Sequence, residues 1–282
     1  MRTCLFATDL HGSSERYKKL FRSIVQDRPA VVCLGGDLLP SPWIQDSGEN
    51  FIQEVLADGF RDLRRTLGEE YPHVLMILGN DDGKLEEQSL VEDEFSGIWH
   101  YIHGRSYTFE EYTFYGYSYV PPTPFQLKDW EKYDVGRYVP PGCVSPEEGL
   151  RTVAVQDHEV RYGNIAADLQ ELVGERPLDR AVFLFHGPPH ETNLDRAALD
   201  DKMIDHVPLD VHVGSVAVRR FIDRKQPYVT LHGHVHESAR LTGSWQQQLG
   251  RTHVFGAAHD GPELALVRFD LDHPERAERQ LL

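Results

Sequence analysis

Five short apolar runs, each followed at once by Gly, Asp, Asn or His, constrain the fold of this 282-residue chain more than any other feature. An apolar run of four to eight residues that ends in turn-forming residues is typical of a strand buried on both faces. Such strands occur in parallel sheets that helices cover on both sides. The five polar ends read ATDLHG, LGGDLL, LGNDD, FLFHGPP and LHGHVH.

The segments between the first three runs have the spacing of amphipathic helices. Ser13 or Ser14 can cap a helix that continues to about Gln26, and a second helix is predicted from about Glu49 to Leu67. These helices separate predicted strands at 3–8, 30–34 and 74–78. The βαβαβ order predicts a parallel sheet with right-handed crossovers.

The rest of the chain predicts more strands and helices without a linker that would divide domains, so we expect a single domain over residues 1–282. A capping box with Pro at the first helical position, Ser145-Pro146-Glu147-Glu148, predicts a long helix to about Val173. A hairpin is predicted at 107–117, a helix at 215–224, and strands at 181–185, 228–231, 252–255 and 264–269.

Charge and cysteine content exclude some classes of protein. The net charge is −16 and Lys and Arg are dispersed, which disfavours nucleic acid as a partner because such binding depends on phosphate neutralisation. Cys4 and Cys33 lie in apolar strands, and with Cys143 they make an odd number, so free thiols are expected rather than disulfides. The sequence shows neither a leader nor a run of membrane-spanning length, which predicts a cytoplasmic protein without membrane association.

The polar residues after the runs share one position, just beyond the carboxyl end of a strand. In open α/β sheets that edge is where ligands bind, because loops from adjacent strands converge there. Each segment alone could be a simple turn, since Gly tolerates positive φ and Asp accepts backbone hydrogen bonds. Together they supply seven oxygen and nitrogen ligands, enough for two divalent ions that share one carboxylate and hence for a two-metal hydrolase. The seven are Asp9, His11, Asp37, Asn80, His186, His234 and His236.

The order Asp-X-His, Gly-Asp, Gly-Asn, His, Gly-His-X-His resembles the calcineurin-like metallophosphoesterase superfamily over nearly the whole chain. The stretches HGPPHETNLD and VHVGSVAVRRFIDRKQPYVTLHGHVHES are similar to the prokaryotic phosphoesterase branch of that superfamily. The resemblance implies an α/β fold, a four-layer α/β/β/α sandwich with two mixed β-sheets of the metallo-dependent phosphatase type.

The resemblance also implies a role for each ligand. Asp9, His11 and His236 would hold one metal ion. Asn80, His186 and His234 would hold the other, and Asp37 would bridge the two. Imidazole ligands favour Mn, Fe or Zn over Ca. A hydroxide that bridges the ions would then attack phosphorus in line.

Asp81 departs from the superfamily pattern, which usually has His after Gly-Asn as the proton donor to the leaving group. An unperturbed Asp is ionised at pH 7 and cannot donate a proton. Either burial raises the pKa of Asp81 and it acts as the acid, or it only supports the site. In the second case another histidine donates, with His190 and His212 the first to examine, or the leaving group departs unprotonated. The catalytic candidates are thus Asn80, Asp81 and Asp82, and Asp82 is either an orienting carboxylate or a turn residue.

The predicted function is a di-metal-dependent phosphoesterase that hydrolyses phosphodiesters or phosphomonoesters of phosphorylated small molecules. The missing histidine favours diesters, because a weakened general acid suits leaving groups that are already acidic. Two alternatives stay open, a nuclease of the same superfamily and a non-catalytic metal-binding scaffold. Arg137, Arg196 and Lys202 are either phosphate-binding or ordinary surface charges, and His232 is expected in the core.

Overall fold

Two six-stranded sheets form the centre of the protein in the computed structural model, which describes residues 2–43, 51–92, 97–204 and 206–282. In chain order the strands are β1 (Thr3–Ala7), β2 (Val31–Gly35), β3 (His73–Ile77), β4 (His100–Tyr101), β5 (Ser106–Phe109), β6 (Tyr112–Tyr117), β7 (Ala181–Phe185), β8 (Met203–Ile204), β9 (Val207–Pro208), β10 (Val229–His232), β11 (Gln246–Leu249), β12 (Thr252–Gly256), β13 (Ala265–Asp270) and β14 (His273–Leu281).

Both large sheets are mixed. The first has the order β14-β13-β1-β2-β3-β4, in which β1 to β4 are parallel and β13 and β14 run antiparallel to their neighbours. The second has the order β11-β12-β10-β7-β6-β5, with four parallel strands at its centre and antiparallel β11 and β5 at its edges. The predicted parallel order of the first three strands is confirmed.

Helices cover the outer face of each sheet. They are α1 (Ser14–Asp27), α2 (Asp58–Leu67), α3 (Glu87–Val91), α4 (Asp157–Tyr162), α5 (Ile165–Val173), α6 (Val216–Lys225) and α7 (Ser238–Thr242), with a π-helical segment at Ile52–Ala57 and 3₁₀ turns at Gly68–Glu70 and Lys84–Glu86. Ser13 caps α1 by accepting the Arg16 N–H, close to the predicted start. The predicted start of the next helix, Glu49, lies outside the described residues, and that helix ends at Leu67 as predicted. No helix in the described ranges is long and apolar enough to cross a bilayer.

Alternate side chains along each strand point to opposite faces of the sheet, and this gives the protein two hydrophobic cores. Phe6 and Ile77 of the first sheet pack with Leu184 of the second, and these side chains are fully or almost fully buried between the sheets. Leu5 and Phe183 point the other way, toward the helices, where Phe183 contacts Phe221 of α6. Burial of each such side chain stabilises the fold by roughly 1.5–3 kcal/mol. The α/β/β/α sandwich with two mixed sheets is therefore confirmed, as are the buried free thiols of Cys4 and Cys33.

The long helix predicted from Ser145 to Val173 is wrong. Residues around Leu150 are extended, because Leu150 accepts the Lys128 N–H at 2.8 Å and donates its own N–H to Gln126 at 2.7 Å. Helical structure begins only at α4, and a break at Gly163 and Asn164 separates α4 from α5. The Asn164 side chain caps α5 by accepting the Ala167 N–H. The backbone pairing of Leu150 with Gln126 and Lys128 thus prevents the helix that the capping box at Ser145 predicts.

Candidate metal centre

The loops that follow the strands hold four of the seven predicted ligands in the left-handed backbone region. The φ angles are 56° at Asp9, 46° at His11, 50° at Asp37 and 74° at His234. Each such conformation of a residue other than Gly costs on the order of 1–3 kcal/mol and persists only where the surroundings enforce it. Among the described residues, six others that are not Gly share this conformation, but the four ligands adopt it in loops that converge at one edge of the sheets.

Backbone hydrogen bonds between the loops after β1 and β2 enforce these conformations. The Asp9 N–H donates to Gly36 O at 2.9 Å, and the His11 N–H donates to Asp37 O at 2.8 Å. The third loop joins through the side chain of Asp9, which accepts the His234 N–H at 3.1 Å. The carboxyl ends of strands from both sheets therefore meet at one edge, as the sequence predicts.

Four of the predicted ligands converge closely enough to hold one cation. Asp9, His11, Asp37 and His236 each offer a ligand atom, and these atoms lie within 4.8 Å of one another. His11 Nε2 lies 3.2 Å from His236 Nε2, and His236 Nε2 lies 3.4 Å from Asp9 Oδ1. Two carboxylates and two imidazoles that face one point fit a divalent transition metal.

A second group of ligands lies on the other side of Asp37. His186 Nε2 is 2.9 Å from Asn80 Oδ1 and 3.3 Å from Asp37 Oδ2. The ring of His234 lies with its centre 5.3 Å from that of His186. Asp37 Oδ2 is also 3.9 Å from His11 Nε2. The carboxylate of Asp37 therefore lies between both groups, as a bridging ligand must.

Hydrogen bonding and charge prepare these side chains to bind a cation. His186 Nδ1 is 2.9 Å from Gly35 O, so it carries the proton as donor and Nε2 is left as the ligand atom. Burial lowers the pKa of His186, but Asp37 and Asp9 outweigh it and raise that pKa to about 10. Burial likewise lowers the pKa of His236, and Asp9 raises it to about 9. The carboxylates thus attract positive charge to the place where the sequence predicts metal ions.

Three glycines allow the close approach of the ligand loops. A Cβ on Gly79 would lie 2.4 Å from Asp37 Oδ1, and a Cβ on Gly36 would lie 2.6 Å from His186 Nδ1. A Cβ on Gly233 would lie 2.8 Å from Asp9 Oδ2. Any larger residue at these positions would displace the side chain of a predicted ligand. The sequence shows the glycines beside the ligands but not which atoms they accommodate.

Asp81 lies at the open side of the site, with its side chain 45% exposed. Its Oδ2 is 3.7 Å from His11 Nδ1, its Oδ1 accepts from Asn80 Nδ2 at 3.0 Å, and its own N–H donates to Asp37 Oδ1 at 2.8 Å. Burial and the neighbouring Asp37 raise the pKa of Asp81 to about 6. Asp81 is therefore in contact with both ligand groups, whichever of its two predicted roles it has.

Asp82 is fully buried and connects two of the ligand loops. Its Oδ2 accepts the N–H of Gly79 at 2.8 Å and of Leu38 at 3.1 Å, and its Oδ1 accepts the N–H of Leu39 at 2.8 Å. Burial and Asp37 raise the pKa of Asp82 to about 8, although the three N–H donors act in the opposite direction. These contacts favour the orienting role over proton transfer.

The other histidines that the sequence singles out lie in the loops beside β7 and α6. His212 Nδ1 is 2.9 Å from Oδ1 of the buried Asp195, whereas His190 Nδ1 is 3.8 Å from the same carboxylate. His232 is buried, with Nδ1 2.9 Å from Gly187 O and Nε2 2.8 Å from Thr230 Oγ1, as the core interpretation predicts.

Of the three cations considered for phosphate binding, two are engaged with carboxylates. Arg137 pairs with Glu147, and Arg196 pairs with Asp200 at 2.5 Å. Lys202 is exposed. Sequence reasoning missed Arg16, whose Nη1 donates to Asp9 O at 2.6 Å and whose Nη2 donates to Gly261 O at 2.5 Å. No sequence pattern marks this residue, which holds the first ligand loop from α1.

Comparisons with known proteins show the family and the fold of the chain. A family model described as calcineurin-like phosphoesterase matches residues 3–238. Among curated proteins, none matches the sequence. A crystal structure of TT1561 of Thermus thermophilus is 17% identical, with a TM-score of 0.55, 99% of this chain covered and 98% of that chain. Another crystal structure is 16% identical, with a TM-score of 0.61 and the same coverage of each chain. At these identities the likeness is one of fold.

Proposed function

Because the chain belongs to the calcineurin-like phosphoesterase family, we propose that it is a di-metal-dependent phosphoesterase that hydrolyses a phosphorylated small molecule. The position of Asp37 carries the proposal. Its carboxylate is buried and lies between a group containing His11 and a group containing His186. A single metal ion would not require ligand atoms on both sides of one carboxylate.

The proposed ligand roles follow the two groups. Asp9, His11 and His236 would hold one ion, Asn80, His186 and His234 would hold the other, and Asp37 would be shared by both. The donors suit Mn, Fe or Zn. When bound, the two cations supply the Lewis acidity that orients phosphoryl oxygens and activates water for in-line attack.

The exposure of the ligands defines the side from which a substrate enters. His11 and His236 are 29% and 35% exposed, and Asp81 is 45% exposed, whereas Asp9, Asp37 and His186 are almost completely buried. A phosphoryl group therefore approaches across the first three side chains. Asn80 is buried beside Asp81 and His186, and its neutral amide adds no negative charge near an anionic substrate.

The residue at position 81 supports a preference for phosphodiesters with acidic leaving groups. Asp81 occupies the position that follows Gly-Asn, beside Asn80 and His11, where the superfamily pattern usually has a histidine. Two bound cations would lower the pKa of Asp81 below the value of about 6 that burial and Asp37 give it, so its carboxyl group would be ionised near neutral pH and could not donate a proton. Substrates whose leaving group needs no proton should therefore react fastest.

The test compares two substrates with Mn²⁺ present, bis-p-nitrophenyl phosphate and an alkyl phosphomonoester. We expect faster turnover of the diester, and Asp37→Ala serves as the control for contaminating activity. Faster turnover of the alkyl monoester would contradict the leaving-group argument. Metal binding without hydrolysis of either substrate would favour the non-catalytic scaffold, and preference for a polynucleotide would favour the nuclease.

A further inference from the structure

A cleft of about 590 Å³ lies on the side of the molecule where the edge strands β4 and β5 of the two sheets meet. Its walls come from the β4–β5 connection with Arg105, the turn with Lys84, the loop with Lys132, and the end of α5 with Arg176. None of the described residues that line it is a proposed metal ligand. Its volume is in the range of small-molecule sites, which is about 300–1,000 Å³.

A second lobe of about 400 Å³ adjoins this cleft and shares Lys84, His103 and Arg105 with it. Tyr101 lines the second lobe, and its hydroxyl is buried beside Glu87 and Ser118 without a hydrogen bond of normal geometry. A buried hydroxyl without a good partner is costly unless a ligand or water satisfies it. The two lobes together could hold a ligand larger than a single phosphate.

Four cations line the main cleft of a chain whose net charge is −16. Lys132 is neutralised by Asp168 at 2.9 Å and lies 3.6 Å from Glu159. Within the part of the chain that the structure describes, Lys84, Arg105 and Arg176 have no carboxylate within ion-pair distance. Glu159, Asp168 and Glu171 are the acidic residues of the lining. Two of the three acidic side chains thus lie next to Lys132. The positive charges of Lys84, Arg105 and Arg176 are available to a ligand.

Neutral donors and aromatic rings lie between these cations. His103 Nδ1 accepts the Ser118 N–H at 3.0 Å, so the proton is assigned to Nε2, which becomes a donor. Burial and the adjacent Lys84, Lys132 and Arg105 lower the pKa of His103 to about 3, consistent with a neutral ring. Lys84 Nζ donates to Tyr119 OH at 2.8 Å and lies 4.8 Å from the centre of the Trp130 ring. These contacts hold the ammonium group of Lys84 in place without neutralising it.

We propose that this cleft is a second binding site, separate from the metal centre, for a small organic phosphate. A dianionic phosphate group has acceptors for several converging donors, and guanidinium groups such as those of Arg105 and Arg176 can bind it through paired hydrogen bonds. The organic part would contact the rings of His103 and Tyr119 and extend toward the second lobe. The proposal does not depend on metal binding or on hydrolysis.

Isothermal titration of the full chain with AMP, adenosine and inorganic phosphate tests the proposal. The cleft variant combines Arg105→Gln and Arg176→Gln, two exposed side chains whose replacement should leave the fold and the basal phosphoesterase activity unchanged. Arg220→Gln on α6 is the matched control, because Arg220 is also exposed and lies outside the cleft. Asp37→Ala, or wild-type protein treated with EDTA if that variant folds poorly, removes binding at the metal centre.

We expect AMP to bind the wild type, and to bind the cleft variant about tenfold more weakly, since charge-assisted hydrogen bonds are lost. Binding should persist in Asp37→Ala and in Arg220→Gln, and adenosine should bind far more weakly than AMP. Absence of saturable AMP binding would overturn the proposal. Loss of binding in Asp37→Ala with full retention in the cleft variant would overturn it too, as would adenosine or inorganic phosphate binding as tightly as AMP.

Discussion

Replacement of Asp82 tests whether a buried carboxylate holds the ligand loops together. Its two oxygens accept three backbone N–H groups, from Leu38 and Leu39 in one loop and from Gly79 in another. These three donors are buried beside Asp37 and Asn80. Removal of the carboxylate should therefore lower both the free energy of unfolding and the affinity for metal.

The magnitude follows from the number of donors left without a partner. Each buried N–H without an acceptor costs about 1–3 kcal/mol. Asp82→Ala leaves three, and because water can enter the vacated space we expect a loss of about 3–5 kcal/mol, a large share of a typical folding stability of about 5–15 kcal/mol. Asp82→Asn can keep its oxygen at the Oδ2 position and retain the Gly79 and Leu38 bonds, but its NH₂ then opposes the Leu39 N–H. We expect the free energy of unfolding of that variant to fall by about 1–3 kcal/mol.

Urea unfolding at pH 7, combined with metal titration, measures both effects. Asp223→Asn is the matched control, since Asp223 is exposed and its carboxylate pairs with Arg219 on the same helix, and it should change stability by less than about 1 kcal/mol. Metal affinity should fall about 10–100-fold in the Asp82 variants, as for other groups that orient ligands. Wild-type stability with a strongly reduced kcat would refute this reasoning and assign Asp82 to proton transfer instead.

Three further changes give separate tests. Asp81→His should raise the rate on alkyl phosphomonoesters by at least about tenfold, as a restored general acid would; a fall in rate on every substrate would identify Asp81 itself as the donor. Gly79→Ala would place a Cβ 2.4 Å from Asp37 Oδ1, so metal titration should show clearly weaker binding, while Gly136→Ala, which meets no atom within 4 Å, should bind normally. For His103, the folded pKa of about 3 lies below the unfolded value of about 6.5, so the unfolded chain takes up the proton first and stability falls with decreasing pH. Between pH 7 and 5 this contributes a loss of about 2 kcal/mol, which unfolding curves of His103→Gln should lack; equal losses in both proteins would contradict it.

The sequence predicts the central strands well because their burial on both faces produces continuous apolar runs. The strand that ends in Phe185 is predicted with both of its ends, and the helix predicted at 215–224 is α6, with each end displaced by one residue. Strand β14, with the sequence HPERAERQL, is missed because it lies at an edge and most of its side chains face solvent. Strand β11 is missed for the same reason. Edge strands are specified by pairing with a neighbour, and local sequence does not contain that information.

The candidate site is predicted in its residue types but not in its contacts. The rule that ligands gather at the carboxyl ends of strands places Asp9, Asp37 and His186 together, and the distances agree with it. The rule cannot show that Asp82 points into the protein while Asp81 points toward the opening, since the two are adjacent in the chain. It also gives no indication of Arg16 or of the cationic cleft, whose residues come from four separate segments.

The number of metal ions bound per chain tests the two-metal proposal most directly. After loading with Mn²⁺ and desalting, elemental analysis of the wild type should give two ions per chain, and Asp223→Asn should give the same. Asp37→Ala should lose most of both, because the buried carboxylate between His11 and His186 would serve each ion. One ion per wild-type chain, or two ions retained in Asp37→Ala, would contradict the account.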